Sequence, residues 1–136
     1  MSTLSNLSIL TGRVGLSAIF ILSGIAKLGA GYAATQGYME AMGVPGALLP
    51  LVIFAEIAGG LAVLSGFLTR WAAIGLAVFS IASALLFHFQ LADQMQFINF
   101  YKNLAMAGGF LVLAAHGAGA FSIDGWLAAR RTTTGA

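Results

Sequence analysis

The sequence predicts an all-α integral membrane protein, a four-helix antiparallel bundle in which every helix crosses the bilayer. Two observations carry this. Of 136 residues, 60% are hydrophobic and only 7% are charged, whereas a soluble domain carries about a quarter charged residues. Ten charged side chains cannot coat a globule of this size, so lipid is the solvent for most of the surface. The apolar residues also fall into four runs, at about 8–28, 47–68, 71–91 and 99–117. Each run is near the ~20 residues that a bilayer requires.

Local chemistry marks the ends of these runs. Gly29, Gly31 and the segment Gly43-Val44-Pro45-Gly46 bracket the first loop, and Pro50 sits in a first turn, where its missing N–H costs little. Thr69-Arg70 is read as a tight connection between the second and third helices. Asp93, Gln94 and Gln96 mark the third loop. Beyond Gly117-Ala118-Gly119 a short amphipathic stretch around Ser122–Leu127 leads to a Thr-rich end expected to fray. The first run is as long as the others and Lys27 follows it directly, which argues against a cleaved signal peptide. Residues 1–136 are read as one domain.

Orientation follows from basic residues. Arg13, Arg70, Arg130 and Arg131 fall on the side of the termini, against Lys27 and Lys102 on the other. The positive-inside rule then predicts both termini in the cytoplasm, with Trp71 and Trp126 as interfacial anchors. The four arginines are read as headgroup anchors that snorkel. No basic run resembles a nucleic-acid footprint.

Glu56 carries the strongest functional signal. It lies about nine residues into its helix, roughly 14 Å deep, where an acid costs about 3 kcal/mol on insertion scales. Its i+3 and i+4 neighbours, Gly59 and Gly60, make the acidic face the closely packing one. Lys27, His88, Lys102 and Asn103 lie at compatible depth and are expected to meet it in a polar pocket; a buried ion pair that fixes helix register is the purely structural alternative. Arg13, Arg70 and His116 form a shallower set at the other interface, with His116 most simply a capped helix end. The chain has no cysteine, which excludes disulfides, thiol relays and Cys-ligated metal clusters. Two histidines on different helices at opposite depths cannot form a bis-His haem pair, and neither metal nor haem is expected.

Several of these segments together resemble a known family. Gly12-Arg13 through Ser23-Gly24-Ile25-Ala26-Lys27-Leu28, Ala55-Glu56-Ile57-Ala58-Gly59-Gly60 leading to Leu68-Thr69-Arg70, Phe87-His88-Phe89, Lys102-Asn103-Leu104, and Ala115-His116-Gly117 followed by Ser122-Ile123-Asp124 are similar to the DoxX family of small bacterial membrane proteins. The resemblance implies a bacterial inner-membrane four-helix protein associated with redox chemistry. Its relatives include the quinone-reducing membrane part of thiosulfate oxidation and a membrane partner of superoxide-detoxifying and thiol-handling enzymes.

The leading expectation is therefore a quinone-interacting subunit of an oxidoreductase system. Glu56 would exchange protons, and Lys27, His88 or Lys102, with Asn103 nearby, would bind the quinone head. Electrons would come from a protein partner. A non-catalytic membrane anchor or assembly partner is the alternative, and a small proton-coupled carrier, working as a homo-oligomer, is the third reading.

Overall fold

The computed structural model describes residues 1–134, which form helices α1 (Thr3–Ala26), α2 (Ala30–Ala41), α3 (Leu49–Ser65), α4 (Thr69–Phe87), α5 (Gln94–His116) and α6 (Ile123–Thr134), with a 3-10 turn at Gly46–Leu48 leading into α3. The segments Thr3–Ala26, Gly46–Ser65, Thr69–Phe87 and Gln94–His116 are long and apolar enough to span a membrane. They are the four predicted helices with shifted ends. Side-chain caps explain two of the shifts: Ser2 Oγ accepts from Ser5 N–H at 3.1 Å, and Asp93 Oδ1 from Gln96 N–H at 2.9 Å. Each cap starts its helix about a turn before the apolar run begins.

Three expectations are corrected. The first loop contains α2, whose Tyr32, Thr35, Gln36 and Met39 face the bundle at helical spacing. The connection between α3 and α4 is Gly66–Leu68, immediately before the Thr69-Arg70 pair expected to form it. Gly66 closes α3 in the left-handed region (φ +71°), and Phe67 N–H donates back to the Ala62 carbonyl at 2.9 Å. Thr69 and Arg70 already belong to the first turn of α4. Finally, the Thr-rich end is helical to Thr134; the last two residues lie outside those described.

Packing pairs α1 with α3 and α4 with α5, while α3 and α4 meet over a shorter stretch. Small residues permit the first pairing. A Cβ on Gly60 would lie 2.7 Å from the Ile21 side chain and 3.3 Å from the Ser17 carbonyl, and one on Gly24 would lie 2.5 Å from Ile57. Such close approach is how transmembrane helices gain van der Waals contact without a hydrophobic driving force. The two pairs join in a core of Phe20, Val63, Ala73, Leu76, Ala77 and Phe110 at the end that carries the termini. Toward the opposite end a smaller cluster of Met39, Leu49 and Ile53 seats α2 on α3. Between these two clusters α3 and α4 leave a groove.

Candidate functional site

The buried positions of α3 are Leu49, Ile53, Glu56, Gly60 and Val63, a spacing of four, three, four, three that forms one stripe. The same spacing on α1 runs through Arg13, Ser17, Phe20 and Gly24 and ends at Lys27, the C-cap. Docking the stripes against each other brings Lys27 over Glu56. The ammonium turns back along its helix, donates to the Ser23 carbonyl at 3.2 Å and to Glu56 Oε1 at 2.9 Å, and sits 2.9 Å from Oε2 as well. Oε2 lacks the angle for a hydrogen bond, so its contact with the ammonium is Coulombic. The acid side chain is 7% exposed and the lysine 22%.

This pair forms one wall of a groove of about 690 Å³ between α3 and α4. Leu51, Phe54, Val78 and Leu86 make most of its mouth, open toward the lipid. From α2, Thr35, Tyr38 and Met39 roof the end farthest from the termini. The Tyr38 ring stacks on Phe87 with centroids 5.7 Å apart, which ties the roof to α4. The polar side chains on this lining are Lys27, Thr35, Tyr38, Glu56, Ser83 and His88. His88 caps α4, and its Nδ1 lies 2.7 Å from Gln96 Oε1 on α5.

Of the residues expected around Glu56, Lys27 is its partner and His88 shares its groove. Lys102 and Asn103 do neither. Lys102 is exposed and donates to Asn99 Oδ1 at 3.3 Å, while Asn103 donates to the Asn99 carbonyl at 2.9 Å. For Lys102 the reason is rotational: Phe100 points into the bundle, and two residues on, at ~100° each, Lys102 is on the opposite face. Matching depth does not fix this rotation. Asn103 is half-buried, but its helix α5 packs on α4 and contributes no side chain to the groove.

The larger departure is Arg13, which is no snorkelling anchor. It is 1% exposed. Its Nε donates to the Val63 carbonyl at 2.9 Å and Nη2 to Leu64 at 2.6 Å, the last turn of α3. Nη1 donates to Ala118 at 2.9 Å and Phe121 at 2.8 Å, in the linker to α6. The guanidinium thus satisfies carbonyls that a helix end leaves open, where a cation is also favoured by the dipole. Two neighbours complete the clamp. Asn6 Oδ1 accepts from Ala120 N–H at 2.9 Å, and the Asp124 carboxylate accepts from the Leu68 and Thr69 N–H groups, each at 2.9 Å, at the start of α4. Burial alone would raise the Asp124 carboxyl. The contacts from Thr69 and Leu68, with the charge of Arg13, outweigh it and hold the group below the ordinary carboxylate range. Arg70 remains exposed beside Gly117, and His116 turns back on the Val112 carbonyl at 3.1 Å. Among the described residues no group of three or more His, Asp or Glu side chains is placed to hold a metal ion.

The DoxX family model matches residues 8–89, the stretch that contains Arg13, Lys27, Glu56 and His88. The chain belongs to the DoxX family. This DoxX chain is 50% identical over 124 residues to inner membrane protein YqjF of Escherichia coli strain K12, covering 91% of this chain and 95% of that protein. It is 32% identical over 123 residues to inner membrane protein YphA of the same strain, covering 85% and 87%. No solved structure matches it significantly. The four spans make this DoxX protein a multi-pass membrane protein in contact with the bilayer along most of its surface.

Proposed function

We propose that this protein binds a lipid-soluble quinone in the α3–α4 groove and serves as the membrane subunit of an oxidoreductase whose electron-carrying centre resides on a partner protein. One observation carries the reading: an apolar groove reachable from the lipid has an ion pair set into its wall half-way along a membrane span. An isoprenoid tail suits the apolar length, and the head group reaches Glu56. In that position Glu56 exchanges a proton with a head-group oxygen, and Lys27 stabilises the ionised acid. Ionisable side chains inside a membrane mark functional pathways more often than structural ones. The sequence has no cysteine to relay electrons, and on this reading they come from a centre on the partner protein.

The names of the relatives support an inner-membrane location. Arg70, Arg130 and Arg131 at the end with the termini support a cytoplasmic placement of that end. A reporter fused after the last residue is active only in the cytoplasm on this reading.

The binding claim is tested by purifying the protein in mild detergent and measuring extractable quinone. Gly75 lines the groove and a Cβ there meets nothing within 4 Å, so a side chain can start there without a clash, and Gly75→Phe is the substitution chosen to fill the site. Wild-type protein is expected to retain quinone and Gly75→Phe to lose it. Equal retention by the two removes the groove as the site.

A further inference from the structure

Every potential donor on the groove lining except one already has an acceptor. Lys27 donates to the Ser23 carbonyl and to Glu56. The Thr35 hydroxyl donates to the Gly31 carbonyl at 2.8 Å, and the Tyr38 hydroxyl reaches the Phe87 carbonyl at 3.4 Å. His88 Nδ1 is paired with Gln96 Oε1 on α5 at 2.7 Å. Only the Ser83 hydroxyl donates to no partner among the described residues. Acceptor capacity is plentiful by comparison. An ionised carboxylate offers about four lone-pair sites, and the single ammonium beside Glu56 does not fill them.

We infer that the groove selects a head group that brings its own hydrogen-bond donors, so that it holds the hydroxylated, reduced form of the ligand, a hydroquinone, in preference to the carbonyl-only quinone. This rests on the quinone-class reading above and assigns its redox form. A quinone carbonyl entering the site competes for donors already committed to the protein. A hydroquinone hydroxyl meets a carboxylate, and a hydrogen bond to a charged acceptor is stronger than one between neutral groups. The preference concerns binding alone. Whichever partner exchanges electrons with the ligand, the form that rests in this groove is the one carrying protons.

The test uses three ligands with one ring and tail: decyl-benzoquinone, its hydroquinone and the hydroquinone dimethyl ether, which is bulkier by two methyl groups and whose oxygens accept but cannot donate. Binding to wild-type protein in lipid nanodiscs is measured without oxygen, against empty nanodiscs. The hydroquinone is expected to bind about 10- to 100-fold more tightly than the other two. Equal or tighter binding of the quinone or the ether overturns the inference and leaves the groove reading standing. Retention of none of the three above empty nanodiscs overturns both. In Glu56→Gln the acceptor is weakened and Lys27 is freed to donate to a carbonyl, so hydroquinone and quinone come to near parity. A preference that survives Glu56→Gln unchanged removes Glu56 as its source. The wild-type series decides the main point even where that variant folds poorly.

Discussion

Lys27 Nζ stands 2.9 Å from both oxygens of Glu56, joining the end of α1 to the middle of the α3 span. Glu56→Gln leaves the ammonium without its counter-charge. The expected loss is about 3 kcal/mol of stability, the low end for a buried pair because Lys27 keeps 22% of its side chain exposed. Lys27→Met added to Glu56→Gln restores much of the loss. Thermal melts of both single variants and the double variant in one detergent provide the cycle. Strictly additive losses contradict the pairing.

Arg13→Met strands the carbonyls of Val63, Leu64, Ala118 and Phe121 together. Each buried acceptor left without a donor costs about 1–3 kcal/mol, so this substitution is expected to be among the most damaging in the chain, at 3 kcal/mol or more. Arg13→Lys recovers only part, because a three-proton ammonium cannot reproduce the planar fork. A surface anchor would tolerate either change within about 0.5 kcal/mol. Melting temperatures separate the two accounts.

Asp124 makes the end with the termini sensitive to acid. Its folded carboxyl sits below its unfolded value, so its contribution is complete above the ordinary carboxylate range and is lost as pH falls through the depressed folded value. The stability gap between wild type and Asp124→Asn is therefore expected to be constant above about pH 5 and to close on further acidification. A gap that widens toward low pH has the wrong sign for this arrangement.

Glycines at the α1–α3 contact differ from those facing open space. Gly60→Val drives a side chain into Ile21 and the Ser17 backbone, an overpacking expected to cost about 1–3 kcal/mol. Nothing lies within 4 Å of a Cβ at Gly15 on α1, and Gly15→Val is expected to be neutral or mildly stabilising. Melts of the pair check this, and similar losses at both positions refute the close approach.

How much of this could be read from the residues depends on which variable was needed. The four spans rest on length and apolarity, which composition records directly. Glu56 was legible because a mid-span acid has no innocent solvent. Arg13 was not, since one arginine near the end of a span reads the same whether it reaches headgroups or carbonyls. Its regular spacing with Ser17, Phe20 and Gly24 was the available signal: it lies on the stripe that α1 turns to the bundle. Lys102 failed for the converse reason, matching Glu56 in depth while facing away. The α2 helix was hidden by Gly31 and Gly37 and by a polarity that reads as loop. Asp124 needed the α3–α4 turn, 55 residues earlier at Thr69, to be placed first.

The most direct test of the groove as a quinone site is photolabelling in native membranes with a tail-matched azidoquinone, followed by peptide mapping. The account predicts labels concentrated on the groove walls, at residues such as Ala55, Ala82, Ser83 and Leu86, and competed away by excess unlabelled ligand. Labels spread evenly over outward-facing residues such as Leu22 and Val112, with no competition, contradict it.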